Sequence, residues 1–392
     1  MIDSLYLAWQ YLRYHKGKTT ILVCSVTLIV FLPAGLSLLV NESAQQLRAR
    51  AGTTPLILGS KASELELVLN TLYFQSKQPP SLRMTEVHKV RQTGFAEAIP
   101  LYVRFHARGR PIVATVLEYF EFRNLKIATG RHLAMLGDCL LGSAVAHGLD
   151  LTTGDTLMSS PENAFEFAGD YPLKMRVAGV LSPTGGPDDD AVFVDLKTAW
   201  IIEGLGHGHT DVTRPEASAL QLRREGSRVT ANAAVLQYNE ITSDNVDTFH
   251  FHGDQSDFPI TAIIAVPHDE KSRTLLMGRY LSSSDNTQAV RPTEVMDDLL
   301  ATILRVRRFM LAGSLLVGLS TVLMAVLVFL LSVRLRRGEL ETIRKLGSSP
   351  FRVAAMLTCE LLLVVGVSGC AAGLLTAFTL NFGDEAIRWF IF

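Results

Sequence analysis

Arg334 to Glu360 reads RLRRGELETIRKLGSSPFRVAAMLTCE, a short basic amphipathic segment held between two long apolar runs. The run before it, Phe309 to Val333, is 25 residues without a charge, and the run after it, Val353 to Leu380, is interrupted only by Glu360. A third run, Thr20 to Val40, has 21 uncharged residues. Each reaches the ~20 residues a helix needs to cross a bilayer. Three spans are therefore predicted in a chain of 392 residues that is 48% hydrophobic. The basic lead-in to the first run (Arg13, His15, Lys16, Lys18) would also suit a secretory signal. The run is longer than a signal core, however, and Asn41-Glu42-Ser43 follows it where a small-residue cleavage site would stand. It reads as a retained anchor.

Charge placement sets the orientation. The loop carries Arg334, Arg336, Arg337, Arg344, Lys345 and Arg352 against Glu339 and Glu341, and the N-terminus is also basic. The positive-inside rule makes both cytoplasmic and residues 41–308 extracytoplasmic. The expected layout is a cytoplasmic interfacial helix (1–19), a first span (20–40) and a large outer domain ending in a stalk helix (41–308). A second span (309–333), the cytoplasmic loop (334–352), a third span (353–380) and a short tail (381–392) follow. The formal net charge of −1 gives no reason to expect nucleic acid. Of four cysteines, only Cys139 lies outside the spans, so the outer domain must be held by its core.

Within that domain, short β-rich segments alternate with turns: Pro55–Gly59, Pro111–Leu117, Leu173–Leu181, Ala191–Val194, Ala217–Leu222 and Ile260–Val266. Helical patterns cover Ser63–Phe74, Thr85–Gln92 and Ser272–Tyr280. The expectation is a mixed α/β domain inserted between spans 1 and 2, with two lobes divided between Phe122 and Leu151. Pro292 to Arg308 opens with a Pro-Thr signal and runs into the second span without a breaker, as a continuous stalk. In the third span Gly366, Gly369 and Gly373 offer close helix packing, and Glu360 is costly there unless it lies near the interface or pairs with an Arg or Lys of the preceding helix.

In the loop, Leu340, Ile343 and Leu346 share one helical face, with Arg337, Glu339, Glu341, Arg344 and Lys345 on the other. Gly347 can end this helix and Pro350 can begin the next. This succession (span, Arg-Arg-Gly-Glu, Ile343-Arg344-Lys345-Leu346-Gly347-Ser348, then Glu360) resembles the cytoplasmic loop of MacB/FtsX-type ABC transporter permeases. The whole layout resembles them too, and Pro183-Thr184-Gly185-Gly186-Pro187-Asp188-Asp189-Asp190 before Ala191–Val194 is similar to a turn and strand of some members. The family usually has a fourth span; here the sequence ends at Trp389-Phe390-Ile391-Phe392, shortly after the third.

The resemblance implies a bacterial inner-membrane permease subunit, not itself an enzyme, that contacts membrane lipid and works as a homodimer or heterodimer. A separate ABC ATPase would bind the ATP and dock at Arg337, Glu339, Glu341, Ile343, Arg344, Lys345, Leu346 and Gly347. It would move the outer domain, with a periplasmic adaptor as a further partner. The alternative is a signalling or scaffold protein of FtsX type that regulates an envelope partner without transport.

Other chemistries find less support. Gly17-Lys18-Thr19-Thr20 lacks the first glycine of a P-loop, since Leu12 stands there. Ser143, His147 and Asp150 lack a nucleophile elbow. Asp188–Asp190 lacks the ligand spacing of a calcium loop and reads as a turn cap. His207 and His209, and His250 and His252, form two HxH pairs. On a strand the second pair shares a face, and with Asp254 or Asp257 it could make an open metal site. Two such pairs do not by themselves define converging ligands, so no metal is assigned, and a membrane-anchored metalloenzyme would require that convergence.

Overall fold

The computed structural model describes residues 2–75, 78–160, 172–209, 221–225, 228–231, 238–282 and 286–391. The chain forms two compact units, one of Met1–Gln46 with Asp298–Phe392 and one of Leu47–Asp297.

The helices in chain order are α1 (Ile2–Tyr14), α2 (Lys16–Gly52), α3 (Glu64–Tyr73), α4 (Thr85–Gln92), α5 (Leu117–Phe122) and α6 (Ser143–Leu149). They continue with α7 (Leu196–Ile202), α8 (Glu270–Ser282), α9 (Pro292–Leu335), α10 (Arg337–Lys345) and α11 (Pro350–Ile391). Among the described residues α2, α9 and α11 are long and apolar enough to cross a membrane. The stalk segment and second apolar run are one 44-residue helix, α9, because nothing between Pro292 and Leu335 breaks it. Residues 381–391, expected as a tail, continue α11.

The first strands are β1 (Leu56–Ser60), β2 (Leu82–Arg83), β3 (Ala96–Ala107), β4 (Arg110–Thr115), β5 (Ile127–Gly130), β6 (Asp138–Leu141), β7 (Thr156–Met158) and β8 (Lys174–Leu181). The rest are β9 (Val192–Asp195), β10 (Gly206–Gly208), β11 (Gln221–Glu225), β12 (Arg228–Ala231), β13 (Phe249–Phe251), β14 (Pro259–Ile260), β15 (Ala262–Pro267) and β16 (Thr287–Val290). Ten of these form one mixed sheet in the order β16-β1-β15-β3-β4-β9-β6-β8-β5, with β7 also on β8. The expected division into two lobes does not occur among the described residues: β5 and β6, inside the predicted boundary, belong to the same sheet as β1. Residues 217–220 of the predicted strand Ala217–Leu222 lie outside the described residues; Gln221 and Leu222 fall in β11.

The central strands are buried on both faces, which explains their unbroken apolar runs. In β9, Val192 and Val194 join one core while Phe193 joins the other. The same alternation sends Ile112 and Ala114 of β4 one way and Val113 the other. In β3, Ile99, Leu101 and Val103 face the Phe193 side. A register shift between Val103 and His106 then turns Phe105 and Ala107 toward the opposite core, the reversal of side that an extra residue imposes.

Candidate functional site

The amphipathic loop forms α10, bounded as its sequence dictates. Gly347 takes φ +95°, the left-handed conformation that glycine adopts without a Cβ clash, and Pro350 is the first residue of α11. Arg337, Glu339, Glu341, Arg344 and Lys345 are exposed, and Leu346 is 82% exposed. Leu340 is half-buried, and the Ile343 side chain lies outside the described residues. The apolar edge of α10 is thus left uncovered by this chain at Leu346.

The root of α10 is a buried polar cluster. Glu360, 2% exposed, accepts from Arg336 Nη1 at 3.1 Å and lies 3.8 Å from Lys18 Nζ. The Arg336 guanidinium also stacks 3.4 Å over the Tyr11 ring, and Ser332 Oγ accepts from Lys18 at 2.5 Å. The partner expected for Glu360 is therefore Arg336, just beyond the C-terminal end of α9, with Lys18 of α2 as a second cation. A carboxylate so enclosed is tolerable only when paired and hydrogen-bonded.

Gly366, Gly369 and Gly373 do not sit at a helix contact within this chain: a Cβ added at any of them would meet nothing within 4 Å. The contact runs instead through Ser368, whose Oγ donates to the Val23 carbonyl at 3.3 Å and whose carbonyl accepts from Thr27 Oγ1 at 3.4 Å. At ~100° per residue the three glycines lie on the side of α11 away from Ser368.

In the α/β unit, the last turn of α2 is locked by side chains that sequence reading left unassigned. Arg50 donates through Nη1 and Nη2 to Asp188 Oδ2 and Oδ1 at 2.5 and 2.9 Å. Tyr119 OH sits between them, accepting from Arg50 at 2.9 Å and donating to Asp188 at 2.8 Å. Burial, joined by the charge of Asp188, keeps the Tyr119 phenol un-ionised far above its ordinary range. Tyr73 OH donates to the Leu47 carbonyl at 2.6 Å, and Arg123 reaches Thr53 and Thr54 at 3.1 and 2.8 Å.

The acidic triplet is divided among three tasks. Asp188 binds Arg50. Asp189 accepts from the Thr184 and Gly185 backbone N–H groups, both at 2.8 Å, and Asp190 pairs with Arg110 at 2.6 Å. Gly142 permits the close approach of this turn, since a Cβ there would lie 2.3 Å from the Asp188 and Asp189 carbonyl oxygens.

A cleft of about 1170 Å³ opens in the same unit, lined in part by Met84, Val116, Leu136, Trp200, Phe249 and Phe251, with Glu118, Glu121 and Asp195. Burial raises the Asp195 carboxyl above the usual carboxylate range against the hydrogen bonds it accepts from Thr198 and Lys197. Its side chain caps α7 through the Lys197 and Thr198 backbone N–H groups.

The histidine pairs meet on the reverse of one cleft wall. β10 and β13 pair antiparallel with His207 opposite His250, and His209 and His252 follow two residues on. Ring centroids lie 4.9 Å apart for His207–His250, 4.8 Å for His207–His252 and 5.2 Å for His209–His250. Burial, then the charges of His250, His252 and His209, holds the His207 imidazole below its ordinary pKa. Asp254 and Asp257, considered as further ligands, are engaged elsewhere: Asp254 accepts from the Ser256 N–H at 2.9 Å and Asp257 pairs with Arg83 at 3.1 Å.

A search of curated proteins finds no match. Among solved structures, the periplasmic region of MacB from Actinobacillus actinomycetemcomitans aligns at 11% identity and a TM-score of 0.35, covering 63% of this chain and 93% of its own. The extracellular domain of the noncanonic ABC-type transporter YknZ from Gram-positive bacteria aligns at 10% identity and a TM-score of 0.33, covering 60% and 98%. The family model for the MacB-like periplasmic core domain matches residues 20–238, more than half of the chain. With this match and three helices of membrane-spanning character, the chain belongs to the MacB/FtsX-type permeases that carry a MacB-like periplasmic core domain.

Proposed function

We propose that this chain is the permease subunit of an ABC-type exporter or mechanotransmission complex in a bacterial inner membrane, with its N-terminus and α10 in the cytoplasm. A separate ATPase subunit docks on α10 and drives movement of the periplasmic domain. The observation that carries this reading is α10 itself. It is a short helix with an exposed charged face and an uncovered Leu346, set between two spanning helices and rooted on the buried Arg336–Glu360 pair. A helix fixed at its base and free on its outer surface can pass a push into the helices that flank it. The continuity of α9 from Pro292 to Leu335 supports an outward path, because a helix transmits displacement that a flexible linker would absorb. Gly366, Gly369 and Gly373, open in the single chain, suit the packing of a second permease copy.

The cleft beside Trp200, Phe249 and Phe251 favours a second reading at the outer end, in which the periplasmic domain holds and regulates an envelope partner without transport. At about 1170 Å³ it is somewhat larger than the roughly 300–1,000 Å³ of ordinary small-ligand sites, roomy enough for part of a partner.

The docking reading is tested by purifying the full-length chain from its native host's membranes and measuring the ATPase that accompanies it. Charge reversal at Arg344→Glu and Lys345→Glu is expected to reduce co-purified ATPase at least tenfold while the amount of chain in the membrane stays constant. Undiminished co-purification overturns the docking role of α10.

A further inference from the structure

Gly206-His207-Gly208-His209 and Phe249-His250-Phe251-His252 form a two-faced ribbon. Alternation along a strand sends the histidines to one side and the remaining positions to the other. On the second side Phe249 and Phe251 pack against the core, and the opposing strand must be glycine to admit them. A Cβ at Gly206 would lie 2.6 Å from the Phe251 ring, and one at Gly208 would lie 2.5 Å from the Phe249 ring. The seated aromatic rings therefore fix the ribbon and, through it, the direction of the imidazoles. Backbone bonds extend the pairing at the edge, with His252 N–H donating to the Leu205 carbonyl at 3.0 Å.

On the imidazole side, one ligand nitrogen from each of His207, His209 and His250 lies within 4.8 Å of the others, and the His252 ring lies 4.9 Å from that of His250. Nitrogens sharing a tetrahedral ion at ~2.0–2.1 Å stand about 3.3 Å apart. His250 and His252 are exposed and have room to close the difference by rotating their rings. His250 Nδ1 lies 3.1 Å from the Thr248 carbonyl oxygen. That oxygen can only accept, so Nδ1 carries the hydrogen and Nε2 presents its lone pair. A backbone carbonyl holding one nitrogen of a ligating histidine is the usual outer support of a metal site.

We propose that His207, His209 and His250, joined by His252, bind one divalent first-row transition ion of the zinc, nickel and copper class. Imidazole nitrogens select this class over magnesium and calcium, which take oxygen ligands. The ion would tie β10 to β13 across the long stretch of sequence between them. Because Phe249 and Phe251 line the cleft from the other face of β13, metal uptake would stiffen that wall. This site stands independently of the ATPase-docking reading, since it depends on neither α10 nor the spanning helices.

The test uses the full-length chain in detergent, purified without a histidine tag and stripped with EDTA. Equilibrium dialysis against Zn²⁺, with Mg²⁺ and Ca²⁺ as controls, gives the bound metal per chain, and circular dichroism checks folding. One equivalent of Zn²⁺ is expected, with neither control ion retained. His250→Gln and His252→Gln, both on exposed side chains, are each expected to weaken binding at least tenfold, whereas His147→Gln on α6 leaves it unchanged. Bound Cu²⁺ should show hyperfine coupling to several nitrogens in its electron paramagnetic resonance spectrum, with the contribution of one nitrogen missing in His250→Gln. Failure to take up one equivalent of Zn²⁺, full affinity in both His250→Gln and His252→Gln, or an equal loss in His147→Gln overturns the site.

Discussion

Glu360 is the residue whose neighbourhood ties the ends of three helices together. Its carboxylate is almost completely enclosed, and its contacts come from Arg336 beyond the end of α9 and Lys18 in α2. Arg336 is 8% exposed and stacks on Tyr11 of α1. Removing either member of such a pair leaves an enclosed charge without its counterion, which costs about 3–5 kcal/mol, whereas replacing both with apolar residues is often neutral. Glu360→Ala is therefore expected to lower the thermal stability of the purified chain and the amount recovered in the membrane. Glu360→Leu combined with Arg336→Leu should restore most of both. A double variant as impaired as the single one would show that the pair holds the helices by more than charge compensation.

At the scale of elements, legibility followed how local the determining signal was. The spanning helices were readable because an uncharged run of about twenty residues matches the thickness of the hydrocarbon layer, and α10 because Gly347 and Pro350 mark its end and its successor in the sequence itself. Strands β1, β4, β9 and β15 were readable as apolar runs buried on two faces, and β8 as a β-rich segment whose first half alternates charged and buried positions. The longest strand, β3, escaped because Pro100 interrupts it and Arg104 adds a charge, which the fold pairs with Glu203 at 2.9 Å. The histidine site was half legible: the two HxH pairs stood out, but their convergence depends on β10 finding β13 some forty residues later. The clamp on the last turn of α2 was illegible for the same reason, since Arg50 and Asp188 meet only after the sheet forms. That clamp also makes a prediction. Arg50→Leu strips Asp188 and Tyr119 of their shared donor, and a loss of about 3 kcal/mol corresponds to roughly 6–12 °C in Tm for a unit of this size. Arg48→Ala removes only the half-exposed pair with Asp297 and should cost less than ~1 kcal/mol. Equal Tm values for the two variants would sink the distinction between clamp and surface pair.

At the scale of the whole molecule, the proposed direction of coupling depends on which side of the membrane α10 and the α/β unit occupy. The basic residues around α10 bear on this, even with Arg336 set aside because it is paired with Glu360. Arg334, Arg337, Arg344, Lys345 and Arg352 still flank the spans, and the rule that orients membrane proteins counts basic residues in short loops. The cytoplasmic assignment of α10 therefore survives the loss of Arg336. Cysteine labelling with a membrane-impermeant maleimide tests it. Cys24, Cys359 and Cys370 are replaced by alanine, while Cys139 can stay: it is fully buried, and burial with the charge of Asp138 pushes its thiol up to about 12, leaving little thiolate to react. Lys271→Cys places an exposed thiol on α8, and Gly338→Cys places one on α10, where a Cβ meets nothing within 4 Å. In intact spheroplasts Lys271→Cys should label and Gly338→Cys should not, and lysis should make both reactive. Labelling of Gly338→Cys before lysis would put α10 outside, beyond the reach of a cytoplasmic ATPase, and the coupling reading would fall with it.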